Sequence, residues 1–236
     1  MESKPARKAR AAAIQAELVR LYPTPVCALA SGGPFELLVA TILSAQCTDV
    51  RVNMVTPALF ARFPDAPSMA AADVAEVEGL VHTTGFFRNK AKNIVNMAKA
   101  LMDRHDGRVP ATMDELHPLP GVGRKTANVV LGECFDTPGL TVDTHMQRVN
   151  RRLGLIREED PVKIERELME LVPQPDWRLY SLRIITHGRA LCDARRPLCG
   201  ECALAPLCPH YAKTGGEPGA GGPPVKRARP GKPRPA

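Results

Sequence analysis

The chain is poor in aromatic residues and has no long apolar run. Aromatic side chains make up 4% of its 236 residues, so aliphatic side chains must fill the core that a hydrophobic content of 44% allows. No apolar run approaches the roughly 18–20 residues that a membrane span requires. The basic N-terminus has no continuous apolar segment ahead of a cleavage site. We therefore expect no signal peptide, no membrane association and a cytoplasmic location.

Positive charge is concentrated at the C-terminal end. The net charge is +7, and residues 213–236 contain six lysine and arginine residues against the single acidic residue Glu217. This segment is rich in glycine and proline and has almost no large apolar residue, which predicts a disordered basic tail. The tail either adds weak, salt-sensitive attraction to nucleic acid or is an inert solvated segment. Any DNA affinity of the remaining chain must come from a local basic patch.

Apolar residues recur with the helical period along nearly the whole chain. No run alternates convincingly with period two, which predicts an all-α fold of about ten helices. Pro34 is expected to open a central buried helix, because the residues that follow it are apolar almost all round. Side-chain caps are expected at the starts of four other helices, at Asp49, Ser68, Asp143 and Asp160.

Two helical domains are expected. Residues 27–137 form a bundle that ends with a glycine hairpin and its helix, and the C-terminal helices form a second domain with a cysteine-rich segment. Composition alone leaves open which of the two domains the N-terminal helix joins.

The glycine hairpin is the segment Leu-Pro-Gly-Val-Gly-Arg-Lys-Thr-Ala at residues 119–127. Gly121 and Gly123 allow positive φ, and neither places a side chain over the neighbouring backbone N–H groups. Backbone donors at the positive end of a helix suit a phosphate oxygen. Such a contact holds DNA without recognising its sequence.

Lys125 lies in the first turn of the hairpin helix, which is an unusual position for a lysine. The helix dipole disfavours an ammonium ion there, and a neutral lysine amine is a nucleophile. Asp143, in the later segment Val-Asp-Thr-His, supplies a carboxylate that can assist such chemistry, and an N-cap role for it is compatible with catalysis. The alternative is that Lys125 only adds positive charge for a phosphate.

The seven cysteines fall into two groups. Cys27, Cys47 and Cys134 are scattered among apolar residues and are expected to be ordinary buried thiols. The other four have the spacing C-x6-C-x2-C-x5-C, which indicates a metal centre in a chain without an export signal. They are Cys192, Cys199, Cys202 and Cys208. Four thiolates suit either tetrahedral zinc or a [4Fe–4S] cluster, and the spacing alone does not choose between them.

Two arginines, Arg195 and Arg196, lie in the first loop of the cysteine segment. They are expected either to offset the negative charge of the thiolates or to reach a phosphate.

Together, the hairpin segment, the segment VDTHMQRV and the four-cysteine spacing resemble the endonuclease III family of bacterial DNA glycosylases. The segments SAQCTD at 44–49 and GFFRNKA at 85–91 add to a resemblance that covers roughly residues 10–210. It implies a helix-hairpin-helix fold of two α-helical domains, with residues 1–26 and 138–212 forming the domain that holds a [4Fe–4S] cluster. The implied partner is double-stranded DNA with a damaged base, bound by a nucleoid-associated monomer.

The resemblance also implies an activity and assigns roles to residues. Family members remove oxidised pyrimidines such as thymine glycol and then nick the abasic site, with Lys125 matching the nucleophile and Asp143 the essential carboxylate. Gln46 matches a residue that fills the gap left by the extruded base. Phe86 begins a loop that wedges against the opposite strand, and it is bulkier than the expected aliphatic residue. The expected DNA contacts are Gln46, Phe86, Phe87, Arg88, Asn89, Gly121, Val122, Gly123, Arg124 and Arg148.

Two other functions are open at the level of sequence. A monofunctional mismatch glycosylase of the same superfamily has a different residue in place of Lys125 and usually an extra C-terminal domain. A non-catalytic helix-hairpin-helix module with a zinc knuckle needs neither Lys125 nor Asp143. Gln46 and Phe86, to which the resemblance assigns contacts with the opened duplex, also have simpler interpretations. Gln46 would then be a surface amide, and Phe86 an ordinary core side chain.

Overall fold

A computed structural model describes residues 2–214, and the regular structure of this part of the chain is entirely helical. The predicted all-α fold is confirmed. Short 3-10 turns connect several of the α-helices, which begin and end as follows: α1 Lys4–Leu21, α2 Pro34–Leu43, α3 Asp49–Arg62, α4 Ala66–Ala70, α5 Val74–Val81, α6 Phe87–His105, α7 Met113–Leu116, α8 Arg124–Cys134, α9 Thr144–Arg152, α10 Pro161–Met169, α11 Trp177–Ala190 and α12 Pro209–Thr214.

The buried apolar side chains form two separate clusters. The first cluster lies within residues 37–131 and is built from helices α2 to α8. The second combines the buried face of α1 with residues 140–204, and thus joins the two ends of the described chain. This arrangement is consistent with the two domains expected from the sequence, and the domain boundaries stay a prediction.

Helix α2 is the central helix of the first cluster. Seven consecutive residues, Leu37 to Leu43, are buried, as expected for a helix that is apolar almost all round. It packs against α8, the helix that carries Lys125. The hairpin helix is therefore supported from behind by the most buried element of the cluster.

Two of the four expected caps are confirmed. The Asp143 carboxylate accepts a hydrogen bond from the Met146 N–H and begins α9. Asp160 accepts from two backbone N–H groups at the start of α10, where Pro161 occupies the first helical position. Both carboxylates precede helices whose apolar spacing is regular, and this made the caps predictable.

The other two expected caps are wrong. Helix α3 is capped by Thr48, whose hydroxyl accepts from the Arg51 N–H, and Asp49 is already the first helical residue. Helix α4 is capped by Asp65, and Ser68 is its third residue, which returns a hydrogen bond to the Asp65 backbone. In both cases two capping side chains lie within three residues, so composition alone does not fix the start.

Within residues 2–214, no helix has both the length and the hydropathy needed to cross a membrane. The end of α12 at Thr214 overlaps the start of the expected basic tail. The remainder of that tail lies outside the described residues.

Candidate functional site: a pocket beside the glycine hairpin

The hairpin between α7 and α8 depends on one left-handed glycine. Gly121 has φ +76°, and the Val122 N–H closes the turn by donating to the Leu119 carbonyl. A Cβ atom at Gly121 would lie 2.9 Å from the Asn93 Cβ atom. Both the backbone angle and the close approach of α6 therefore require glycine at this position.

Gly123 has a different role and does not use the positive φ that glycine allows. It is extended, with φ −86° and ψ 169°, and a Cβ atom added there would meet nothing within 4 Å. Gly123 is the N-cap of α8, and no capping side chain accepts a hydrogen bond from the first-turn N–H groups of this helix. Val122, expected among the DNA contacts, instead buries its side chain in the first cluster.

Lys125 and Asp143 line the same pocket. Lys125 is exposed on the first turn of α8, and Asp143 is half-buried at the start of α9. Polar and apolar side chains from both clusters complete the walls, including Cys27, Thr41, Ser44, Asn128, Ser181 and Ile185. The pocket therefore lies between the two clusters and brings together two residues that the sequence singled out for their chemistry.

Asp143 is the N-cap of α9 and also lines the pocket. One carboxylate oxygen accepts the Met146 N–H at 2.8 Å, which fixes the side chain at the head of α9. Next to it, half-buried His145 has its pKa lowered by burial. The Asp143 carboxylate is thus anchored by a helix terminus at the edge of the pocket.

Three ion pairs join the two clusters around this pocket. Arg178 on α11 pairs with Glu133 on α8 at 3.2 Å, and Arg189 pairs with Asp49 on α3 at 2.7 Å. The third pair holds the hairpin helix: the Arg124 guanidinium donates to the Glu165 carboxylate of α10, whose side chain is 4% exposed. This last pair raises the pKa of Arg124.

The ion pair changes the interpretation of Arg124, which the sequence suggested as a DNA contact. Its guanidinium is bound to the second cluster, and Asn128 donates to the same Glu165 carboxylate at 3.2 Å. These two residues flank Lys125 on α8. Glu165 therefore binds two side chains of the helix that carries Lys125, and sequence analysis missed it because it lies on a distant helix.

Gln46 and Phe86 share an uncommon backbone conformation. They have φ 52° and 48°, in the left-handed region that costs a non-glycine residue about 1–3 kcal/mol. Both side chains are exposed, and Phe86 is 65% exposed. The alternative that Phe86 is a core residue is therefore wrong.

The other expected DNA contacts occupy varied environments. Arg88 and Asn89 are exposed at the start of α6, whereas Phe87 is half-buried against the first cluster, with the Arg88 guanidinium 5.3 Å from its ring centre. The Arg148 guanidinium donates to the Gly188 carbonyl at 3.0 Å and to the Cys192 carbonyl at 3.1 Å. Arg148 therefore fixes the end of α11, a structural role that the sequence did not indicate.

The four C-terminal cysteines line one cavity beside the second cluster, together with His187 and several apolar side chains. All seven cysteines of the chain are free thiols, and Cys27, Cys47 and Cys134 are half-buried where full burial was expected. Burial raises the pKa of Cys199 and Cys202, and the neighbouring Cys192 and Cys208 raise it further. Among residues 2–214, no group of three or more His, Cys, Asp or Glu side chains is arranged to hold a metal ion.

Arg152 is the cation nearest to these thiols, and sequence analysis did not identify it. Its guanidinium lies 3.3 Å from the Cys192 Sγ atom and donates to the Asp193 carbonyl at 2.6 Å. Arg195 and Arg196 instead use their backbone N–H groups to bind the Asp193 carboxylate, and their side chains are exposed. The arginine beside the thiols comes from α9, forty residues before its partner.

A family model of the HhH-GPD superfamily, described as base excision DNA repair protein, matches residues 39–174. This range contains the hairpin, Lys125 and Asp143 and covers more than half of the chain. The chain therefore belongs to the HhH-GPD superfamily of base excision DNA repair proteins.

Proteins with similar sequences show which family of this superfamily the chain belongs to. The chain is 58% identical over 204 residues to endonuclease III of Synechocystis sp. strain PCC 6803, which covers 86% of this chain and 93% of that protein. It is 38% identical over 206 residues to endonuclease III of Escherichia coli strain K12, covering 87% and 98%. Within the superfamily the chain is a member of the endonuclease III family, and thus a DNA glycosylase and abasic-site lyase of base excision repair, as the resemblance indicated.

Solved structures agree with this membership. A non-covalent endonuclease III–DNA complex matches with a TM-score of 0.85 and 40% identity, covering 91% of this chain and 99% of that one. A trapped endonuclease III–DNA covalent intermediate matches with the same TM-score. DNA is the macromolecular partner of this family, and the predicted partner class is confirmed.

Proposed function

We propose that this chain removes oxidised pyrimidines from double-stranded DNA and nicks the resulting abasic site, with Lys125 as the nucleophile and Asp143 as the assisting carboxylate. The observation that carries the proposal is that the two residues line one pocket between the two clusters. An exposed lysine amine in the first turn of a helix is accessible to an extruded nucleotide, and a base must leave the duplex before it can be reached. The trapped covalent complex of a related endonuclease III supports covalent chemistry.

The chemistry follows from one amine. The neutral Lys125 Nζ atom attacks C1′ of the damaged nucleotide, and the C1′–N bond breaks so that the base leaves with the electron pair and takes up a proton. The sugar opens as its ring oxygen accepts a proton, which leaves an iminium between C1′ and Lys125. Loss of a proton from C2′ then expels the 3′ phosphate, and water releases the lysine. Asp143 stabilises positive charge on the sugar and accepts the proton from the lysine.

The hairpin supports binding of the DNA backbone near this pocket. A Cβ atom at Gly123 would meet nothing within 4 Å, and the first-turn N–H groups of α8 form the positive end of the helix dipole. We propose that a phosphate occupies this space. Because the contact uses backbone groups, it positions the DNA without selecting a sequence.

For the four cysteines we propose a [4Fe–4S] cluster. The fit is supported by four thiols around one cavity, by the absence of a disulfide among them and by the Arg152 guanidinium beside Cys192. A [4Fe–4S] cluster accepts four cysteine ligands, and membership of the endonuclease III family favours it over a mononuclear zinc ion at these thiols. When bound, such a cluster would cross-link the C-terminal loop rigidly. We assign it this structural role because the proposed reaction has no redox step.

The first test uses duplexes that each contain one defined lesion, with borohydride present to trap the iminium. We expect excision of thymine glycol and a covalent adduct with the wild-type protein. Lys125→Gln keeps size and polarity but removes the amine, so the adduct should vanish and excision should fall by several orders of magnitude. Excision of an undamaged base from a mismatch, with no adduct, would favour the monofunctional alternative.

Lys92→Gln is the matched control. It removes one exposed lysine charge from α6, next to Asn93 and the hairpin, without changing the pocket. We expect a trapped adduct and at most a small loss of DNA affinity, about 1 kcal/mol or less. If Lys125→Gln and Lys92→Gln behave alike, Lys125 contributes only charge and the proposal is wrong.

A further inference from the structure

Lys90 is a buried cation that the proposed chemistry does not use. Its side chain is 5% exposed, on the second turn of α6. The Nζ atom donates to the Leu43 carbonyl at 2.8 Å and to the Thr84 carbonyl at 2.7 Å. Burial lowers the pKa of Lys90. A buried ammonium is costly to desolvate, and a protein retains one only where hydrogen bonds compensate it.

The two carbonyls that Lys90 binds lie at the bases of two different loops. Leu43 is the last residue of α2, and the chain continues from it to Gln46. Thr84 is the last residue of the 3-10 turn His82–Thr84, and the chain continues from it to Phe86. One ammonium therefore joins the start of the Gln46 loop to the start of the Phe86 loop.

Both loops hold their exposed side chain on a left-handed backbone. A non-glycine residue stays in that region only where its surroundings fix it, and the same condition applies to Gln46 and to Phe86. Leu43 and Thr84 precede these residues by three and two positions, and the carbonyls at the C-terminal ends of helical segments carry partial negative charge. The ammonium is thus well suited to anchor both strained loops at once.

We propose that Lys90 is a positioning residue that couples the Gln46 loop to the Phe86 loop, so that their side chains enter the DNA stack as one unit. This inference rests on the proposed function, in which Gln46 fills the gap of the extruded base and Phe86 wedges against the opposite strand. The coupling matters while a paired base is being extruded. It does not matter for the reaction of Lys125 with a sugar that is already unpaired.

The experiment compares paired and unpaired substrates. Lys90→Met keeps the length of the side chain and removes the ammonium. Single-turnover excision of thymine glycol from a duplex should fall by about tenfold or more relative to wild type, the rate equivalent of losing one moderate interaction in the transition state. Borohydride trapping on a single-stranded abasic oligonucleotide should stay within about twofold of wild type, since the Lys125 chemistry is unchanged. Equal losses on both substrates would overturn the inference.

Lys99→Met is the matched control, because it removes an exposed lysine from the same helix. Both substrates should react with it as with wild type. If the wild-type protein itself neither excises thymine glycol from a duplex nor forms an adduct with that duplex, the proposed function fails, whatever Lys90 does. The two failures are thus distinguishable.

A second measurement does not depend on the stability of Lys90→Met. Gln46→Ala and Phe86→Ala change exposed side chains, so both variants and their double variant should fold. If the loops act as one unit, the loss of duplex excision in the double variant is smaller than the product of the two single losses. Independent, multiplicative losses would contradict coupling even if Lys90→Met does not fold.

Discussion

The pocket and the cysteine loop use their arginines in opposite ways. Around the pocket, Arg124, Arg178 and Arg189 pair with carboxylates of the other cluster, while Lys125 stays exposed. At the cysteine loop, Arg148 and Arg152 donate mainly to backbone carbonyls and hold the loop directly. The proposed nucleophile thus lies outside the ion pairs that join the two clusters, whereas the cysteine loop is held directly by its arginines.

This difference predicts that substitutions in the two regions affect activity and stability differently. Substitution of the proposed catalytic residues Lys125 and Asp143 should remove activity and leave the free energy of unfolding nearly unchanged. Changes at the cysteine loop should reduce stability first, and activity only as a consequence. Lys125→Gln is expected to cause the largest loss of excision activity without a loss of stability.

Asp143→Asn is expected to have the next largest effect. Asparagine caps a helix about as well as aspartate, so the hydrogen bond from the Met146 N–H and the thermal stability should survive. Single-turnover excision of thymine glycol should fall by about 10²–10⁴, because the carboxylate charge is lost. Near wild-type turnover would show that Asp143 is only a cap, and would break the distinction drawn for the pocket.

Arg152→Lys tests the cysteine loop. A lysine cannot reproduce the fork that reaches the Asp193 carbonyl at 2.6 Å and the Ala194 carbonyl at 2.8 Å. Urea unfolding should show a loss of about 1–3 kcal/mol, and a chelator should remove iron of the proposed cluster faster than from wild type. Arg151→Lys, at the exposed neighbouring residue, should cost under about 1 kcal/mol. Equal stabilities of the two variants would contradict the role of Arg152.

Within the pocket region, alanine substitutions of the two hairpin glycines should separate an effect on stability from an effect on DNA binding. Gly121→Ala should destabilise the fold by about 1–3 kcal/mol, because the residue is left-handed and close to Asn93. Gly123→Ala should keep or slightly raise stability, by up to about 1 kcal/mol, since its backbone is extended and its surroundings are open. Only Gly123→Ala should weaken duplex binding without loss of stability, in titrations at fixed salt. Unchanged affinity would mean that no phosphate approaches Gly123.

Sequence reasoning succeeded where the signal is local. The cap at Asp143, the proline start of α10 and the buried helix from Pro34 each depend on a few neighbouring residues. It was wrong for Asp49 and Ser68, where a second capping side chain lies close by. Two good caps within one turn have similar free energies, and packing decides between them.

The partners of long side chains were not predictable. Arg124 is paired with Glu165, which the sequence did not indicate, and the guanidinium beside the Cys192 thiol belongs to Arg152. Lys90 stands in a segment that was recognised, yet its buried amine and two carbonyl partners become visible only in the fold. Such pairings depend on which helices pack together, and periodicity carries no information about them.

The position of the pocket between the two clusters has a consequence for the newly made chain. Lys125 belongs to a helix packed in the first cluster, whereas Asp143 begins a helix packed in the second. If cleavage needs both groups, as proposed, a chain in which only one cluster has folded cannot cut DNA. The activity that nicks DNA then arises only after both clusters have folded, and a newly made or partly unfolded chain does not damage DNA.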